Sequence, residues 1–410
     1  MSEPLRKTNL GDFLPENIFS DLVYSPLFAG AAAVSLSSLP AIPYNNVLVT
    51  TGIQNPTFSQ IRISAKEIIQ REGFWSFSRN NRGLMKCSSP ALAGQFFYGA
   101  CLFDCYESFK TKLLEQSSRS NSGKHRTKNS LGEIFFAALA AEFYSIFVLA
   151  PFEVAYAMMM MNVKDFPKTL GPVMKELASN PRQYRFPFGP VKPLIVSRLP
   201  QTAISFVLFE IFVAKFSASL VRKMHLEAKE KHDQLQQQHQ RKTTSELLGD
   251  EKNKEIMAMT RNRTNKISSL NWSLPPPSRF SQLNISFSAG VASGVASRVI
   301  LHPIMQYQLF SAKIENQFNM MINNSRTKDV IVEGATISSD PHFFRDLHFQ
   351  LDFGGSRPTF GQKFSLWMKM QGSNPRLLWQ GFMPRMWMSA FSGGVMWLTY
   401  DLVTGKNRVS

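Results

Sequence analysis

The sequence predicts an all-α membrane protein whose six transmembrane helices form three pseudosymmetric two-helix repeats. Three observations carry that prediction. Six stretches approach the roughly 20 apolar residues that cross a bilayer: 22–51, 84–109, 131–161, 194–220, 283–310 and 381–403. A helix-breaking proline recurs in each odd-numbered stretch, as Pro43, Pro151 and Pro303. An aromatic–acid pair closes each even-numbered stretch, as Tyr106-Glu107, Phe209-Glu210 and Tyr400-Asp401. Recurrence in a fixed order marks an internal repeat.

Composition agrees with that class and excludes others. The 410 residues carry 46 Lys and Arg against 29 Asp and Glu, a net charge of +17, which calls for an anionic partner or surface. With 44% hydrophobic and 12% aromatic residues, the chain is too apolar for a basic disordered binder. The mean hydropathy of −0.14 is that of a soluble chain, but it averages apolar stretches with polar ones. Buried helices of a soluble all-helical protein are the bland alternative. Three cysteines, Cys87, Cys101 and Cys105, supply neither a disulfide framework nor a zinc pattern. No nucleophile elbow, phosphate-cradling glycine loop or metal cluster occurs, so neither an enzyme nor a cofactor is expected. The Met158–Met161 run reads as packing surface.

The elements follow in order. Residues 1–20 are an N-terminal tail without the Arg-rich, acid-poor character of a transit peptide, so targeting information is expected to be internal. Repeat 1 covers 21–115, and a linker of Ser, Lys, Arg and Asn covers 116–130. Repeat 2 covers 131–220 and is followed by a polar, Gln-rich insertion at 221–279 that ends on Pro275, Pro276 and Pro277. Repeat 3 covers 280–404 and contains a second polar insertion at 312–375; residues 405–410 are a C-terminal tail. Each apolar stretch carries polar or ionisable residues inside it. In lipid these are costly unless they face a bundle interior or a water-filled cavity, so a cavity-lined bundle is expected.

The three kinked helices, each followed by a polar connector and a second helix, resemble the mitochondrial carrier family. In that family each odd helix bears a proline followed by an acid and then a base. Each even helix ends on an aromatic, an acid and then a base. Glu72-Gly73 with Phe77 and Arg79, and Leu378-Trp379-Gln380-Gly381, match its connectors. Within the family the phosphate carriers are the most similar. Pro90, Gly94, Gly99, Cys101, Phe103, Tyr106, Glu107, Phe109 and Lys110 fall in their second-helix register, with Leu102 in place of a lysine. Leu301-His302-Pro303 matches the third odd helix, and Gly381, Arg385, Trp397, Tyr400 and Asp401 match the last, with Met396 in place of a glutamine. Ala150-Pro151-Phe152-Glu153, and Arg198-Leu199-Pro200 leading to Phe206, match repeat 2.

The resemblance implies a central site exposed alternately to the two sides, with ion-pair networks closing each end. For the cytoplasmic end it implies a gate of Glu107, Lys110, Glu210 and Asp401, with Val213 and Thr404 at the other two base positions. At the matrix end the six positions hold Asn45, Leu48, Glu153, Tyr156, Met305 and Gln308, one charge in six. An ion-pair gate of the family kind cannot form there, because a desolvated pair needs both partners. The family's proton coupling implies a relay through Glu142 and Glu153. Eleven residues of helix end about 20° past three full turns, so these two carboxylates share a face. The relay's histidine and repeat-3 acid are replaced by Ser38 and Met305.

For the anion, the cations inside apolar stretches are Arg198, Arg385, Arg298, Lys86 and Lys192. Arg198 and Arg385 lie nearest the family's substrate contacts, and a guanidinium fork suits an oxyanion. The competing reading is that such arginines cap cavity ends or reach lipid head groups. The expected function is therefore an inner-membrane, multi-pass mitochondrial carrier moving phosphate or another small anion by alternating access with a proton. The alternative is a carrier fold that has lost transport and serves as an accessory subunit of a large inner-membrane respiratory complex. The positive charge is assigned to anionic lipid, cardiolipin in particular, rather than to nucleic acid, because no interleaved aromatics or binding motif accompany it.

Overall fold

The computed structural model describes residues 25–51, 57–74, 83–120, 129–160, 167, 169–184, 186–247, 277–326, 359–373, 379 and 381–405, and among these no strand occurs. The helices are, in chain order, α1 (Pro26–Ser38), α2 (Ala41–Thr51), α3 (Phe58–Glu72), α4 (Ser88–Ser120), α5 (Leu131–Met160), α6 (Leu170–Ser179), α7 (Pro181–Tyr184), α8 (Val191–Leu247), α9 (Arg279–Arg326), α10 (Phe360–Ser373) and α11 (Phe382–Thr404). The tail at 1–20, residues 248–276 of the first polar insertion and residues 327–358, 374 and 375 of the second fall outside the described residues. What is described of the insertions is helical: α8 continues unbroken to Leu247, and α9 to Arg326.

Local chemistry sets where these helices begin. α1, α5 and α9 each follow a serine whose Oγ accepts the N–H three residues on: Phe28 to Ser25 at 3.3 Å, Glu133 to Ser130 at 3.2 Å, Ser281 to Ser278 at 3.2 Å. Each cap satisfies one of the orphan donors of the first turn and is worth about 1 kcal/mol. Two of the short helices share another device. α3 and α10 both open on Thr-Phe-x-Gln, Thr57 to Gln60 and Thr359 to Gln362, and both close a reciprocal capping box. In it the threonine N–H donates to the Gln Oε1 at 2.8 Å while the Gln N–H returns to the threonine Oγ1 at 3.4 Å.

The prolines act as their positions require. Pro43 sits in the first turn of α2, where the missing N–H costs nothing. The chain breaks just before it, so α1 and α2 meet at 45°. Pro151 and Pro303 lie inside α5 and α9, which continue through them.

Six helices close into a ring. α1 packs on α4, α4 on α5, α5 on α8, α8 on α9, α9 on α11, and α11 returns to α1. The short helices lie outside that sequence, with α3 against α2, α6 against α5 and α10 against α9. Glycines set the closest approaches. Gly30 of α1 faces Gly99 of α4, and Gly290 of α9 faces Gly393 of α11, so near that a Cβ on any of the four would collide with the opposite backbone. Small residues at a crossing let two backbones approach and gain dispersion contacts that apolar solvent would not supply.

Three helices, α5, α8 and α9, are long and apolar enough to cross a membrane, and the bent α1–α2 pair makes a fourth if counted as one span. α4 and α11, expected from the sequence as spans, fall short of that measure over the described residues. The reason is in their side chains: α4 carries Gln95 and Asp104, and α11 carries Arg385, Asp401 and several serines and glycines.

The core sits at the ring's centre. It is built from one aromatic pair on each of α4, α8 and α11, spaced three residues apart: Phe103 with Tyr106, Phe206 with Phe209, Trp397 with Tyr400. All six are at most 2% exposed. Phe209 stacks on Trp397 with centroids 3.6 Å apart, Phe103 on Tyr400 at 4.2 Å, and Tyr106 meets Phe206 edge-on at 4.5 Å. Each such pair adds about 0.5–1.5 kcal/mol beyond its buried area. Together the rings form a plug.

Candidate functional site

A cavity of about 430 Å³ lies against one side of that plug and is walled by α1, α2, α4, α5, α8, α9 and α11. Phe206 and Trp397 form its floor. From there it runs toward the ring end that holds the prolines. Its polar wall includes Arg198 of α8, Arg298 of α9 and Arg385 of α11, with Glu153 of α5 as the acidic lining residue. Of the cations singled out in the sequence, these three arginines face the cavity, while Lys86 and Lys192 do not line it.

The two carboxylates expected to share a face of α5 reach one cluster. Glu142 is fully buried and accepts a hydrogen bond from the Tyr98 hydroxyl of α4. The Arg198 guanidinium lies over the Tyr98 ring, 5.0 Å from its centroid, and its Nη2 approaches Glu153 Oε1 at 3.7 Å. Tyr98 thus stands between the buried carboxylate and the cavity arginine. Sequence reasoning missed it, because its role comes from Glu142 and Arg198 on two other helices. The arrangement can hold an oxyanion on Arg198 if Glu153 yields its place, and it can shield a charge on Glu142 from water.

Beyond the plug, at the other end of the ring, the expected gate residues come together. Lys110 Nζ donates to Glu210 Oε1 at 2.9 Å, linking α4 to α8, and the ammonium also lies 5.4 Å from the centroid of the Tyr106 ring. The Tyr400 hydroxyl donates to Glu107 Oε1 at 3.3 Å, linking α11 to α4. Ser286 donates to Asp401, linking α9 to α11. The three acids therefore each tie one helix to another, but one of them does so with a lysine and the other two with hydroxyls.

The end near the prolines is fastened by neutral groups. Asn46 of α2 donates from Nδ2 to the carbonyls of Leu84 at 2.7 Å and Lys86 at 2.9 Å, and its Oδ1 accepts from the Tyr156 hydroxyl of α5 at 3.2 Å. Gln308 of α9 donates to the carbonyl of Val196 on α8 at 3.2 Å. Tyr156 and Gln308 occupy positions where the resemblance implies bases, and each makes a neutral cross-helix bond. Glu153, the remaining charge of that set, turns to Arg198 instead, and Arg298 lies against the Met305 thioether. Met159 and Met160 pack with Cys87, Val173 and Leu177, and among the described residues no His, Cys, Asp and Glu gather into a metal-holding group.

No protein-family model, curated protein or solved structure matches this chain.

Proposed function

We propose that the chain is a carrier of the mitochondrial type, with six spans in three repeats, moving phosphate or another small anion across the mitochondrial inner membrane by alternating access. The observation that carries this reading is the central cavity. It is walled by all parts of the six-helix ring, blocked on one side by the aromatic plug, and lined by three arginines against one carboxylate. The three serine caps, the three aromatic pairs and the shared Thr-Phe-x-Gln openings of α3 and α10 support the repeat. Arg198 and Arg385 bind the anion; Glu142 and Glu153, joined through Tyr98 and Arg198, carry the proton. The chain does no chemistry on what it moves, and its basic surface meets cardiolipin rather than nucleic acid.

The test is uptake by the purified full chain in cardiolipin-containing liposomes, with phosphate outside and an imposed pH gradient. Uptake that rises with the gradient and falls at least tenfold in Arg198→Gln supports the reading; absence of uptake for phosphate and for a panel of small anions overturns it.

A second reading is favoured by the neutral fastening at Asn46, Tyr156 and Gln308 and by the exposed helix that α8 extends past residue 221. In it the chain holds one conformation and serves as an accessory subunit of a large inner-membrane complex. Native gel separation of mildly solubilised inner membranes with mass spectrometry distinguishes the two. Migration at the mass of the free chain supports the carrier, and stoichiometric co-migration with a respiratory complex supports the subunit.

A further inference from the structure

The outward face of α4 carries a charge that the ring does not use. Asp104 lies nine residues past Gln95, which lines the cavity, and nine residues of helix turn about 180° beyond whole turns, so Asp104 faces away from the cavity. It is exposed, and among the described residues no ion pair or side-chain hydrogen bond involves it. Its depth is set by two contacts between α4 and α5. Phe97, before it, stacks on Phe152, and Phe109, after it, stacks on Tyr144, with centroids 5.6 Å and 5.9 Å apart. Both α5 partners lie well inside Leu131–Met160, a helix long and apolar enough to cross a membrane. Asp104 therefore stands at the level of that helix's apolar interior rather than at its ends. Around it Cys101 and Cys105 are half-buried and Ser108 is exposed, so this strip of α4 is small and polar. The outer face of α5, by contrast, exposes Phe136, Phe143, Tyr144 and Phe147, a surface that suits acyl chains. A carboxylate aimed at hydrocarbon is costly until an opposite charge meets it.

We infer that this face of α4 is a docking surface for a membrane-spanning helix of another protein, and that the partner helix carries a lysine or arginine at the depth of Asp104. The inference rests on the reading of α4 as a span, proposed above, and holds for either function given there. Charge selects the partner. A second copy of this chain meeting the same face would set Asp104 against Asp104, which repels, whereas a basic side chain neutralises the carboxylate where little water screens the pair. Size sets the mode of contact. The small side chains of Cys101, Cys105 and Ser108 let a second backbone come close, and their thiols and hydroxyl offer it polar contacts. Because Asp104 lies on the side of α4 opposite the cavity lining, a partner docks there without displacing the groups that wall the cavity.

The experiment uses the purified full chain in phosphatidylcholine vesicles and a synthetic polyleucine membrane helix, free of tryptophan, that bears a dansyl group. One version of the peptide has a single lysine at the depth of Asp104, a second has leucine there and a third has glutamate. Energy transfer from the chain's tryptophans to the dansyl group reads association. The lysine peptide is expected to associate at least tenfold more tightly than the leucine peptide, and the glutamate peptide no more tightly than leucine. Asp104→Asn should abolish the lysine preference and leave the thermal midpoint unchanged, because the carboxylate ties no helices of the ring together. Equal association of the lysine and leucine peptides, or a lysine preference that survives Asp104→Asn, overturns the docking surface. A membrane-impermeant maleimide tests the depth separately: Cys101 and Cys105 should stay unmodified in the vesicles. Their rapid modification overturns the reading of α4 as a span and the docking surface with it, whereas protected thiols without a lysine preference overturn the docking surface alone.

Discussion

The closure of the ring can be tested at its tightest points. A Cβ placed on Gly30 would lie 2.6 Å from Phe103 Cβ and closer still to the carbonyl of Gly99; one placed on Gly99 would lie 2.7 Å from Val34 Cβ. Ordinary contact needs about 3.5–4 Å between carbons. Because part of what is struck is backbone, no rotamer change relieves it, and α1 must move away from α4 by about 1 Å. Overpacking of this kind costs about 1–3 kcal/mol, against a gain of up to about 1 kcal/mol from replacing glycine by alanine within a helix. Gly30→Ala is therefore expected to lower the thermal midpoint of the purified chain by several degrees, and Gly99→Ala to do the same. The double variant carries a sharper expectation. Both new methyl groups enter one crossing, so a single displacement accommodates them and their costs should fall well short of additive. Gly361→Ala is the control, since a Cβ there meets nothing within 4 Å and should be neutral or slightly stabilising. Gly30→Ala as stable as Gly361→Ala, or full additivity in the double variant, would refute the close crossing.

Two further predictions concern the ends of the ring. Lys110→Glu sets two carboxylates against each other between α4 and α8 and should lower the melting temperature, and the exchange Lys110→Glu with Glu210→Lys should restore most of the loss; with side chains 24% and 19% exposed, the pair is worth about 1 kcal/mol, and a double-mutant cycle reads it. At the other end, Tyr156→Phe removes one neutral bond and should cost about 0.5–1.5 kcal/mol, whereas Asn46→Ala strands the Leu84 and Lys86 carbonyls as well and should cost at least twice as much; equal melting temperatures for the two variants would show that Asn46 does not fasten that end.

Much of this architecture is legible in the chain because its signals are local. The aromatic–acid pairs and the eleven-residue interval between Glu142 and Glu153 translate directly into helix faces, and Pro43 into a break, whereas α5 and α9 run on through Pro151 and Pro303. The repeated Thr-Phe-x-Gln at 57 and 359 was equally readable as a capping box but is hidden by the unequal lengths of the connectors around it. What the sequence could not express is partnership across the ring. Tyr98 became significant through Glu142 and Arg198, on two other helices, and nothing in its own neighbours marks it. Arg298 differs in an instructive way. Its charge in an apolar stretch was visible, but that it lines the cavity beside Arg385 of α11 is a property of the surrounding helices rather than of its own. Hydropathy treats α4 and α11 differently from the other ring helices because they wall the cavity with polar side chains such as Gln95, Tyr98 and Arg385, which lower their apolar score.

The two ends of the cavity are held by different physics, and this bears on motion. On the plug side, opening means separating three stacked or edge-on aromatic contacts, at about 0.5–1.5 kcal/mol each, together with the Lys110–Glu210 pair. On the proline side, the Tyr156–Asn46 and Gln308–Val196 bonds are neutral, each worth about 1 kcal/mol, and the half-buried Arg198–Glu153 pair adds one charged link between α8 and α5. A molecule that alternates needs a ligand whose binding differs between its two states by at least the difference between the contacts broken at the two ends. The arginines supply a means. An anion that takes Glu153's place on Arg198 frees that carboxylate, while the guanidinium stays over the Tyr98 ring whose hydroxyl donates to Glu142. In the carrier reading proposed above, this exchange is what would link anion binding to the contacts between α4, α5 and α8, whereas in the fixed-subunit reading the same groups only hold the helices together.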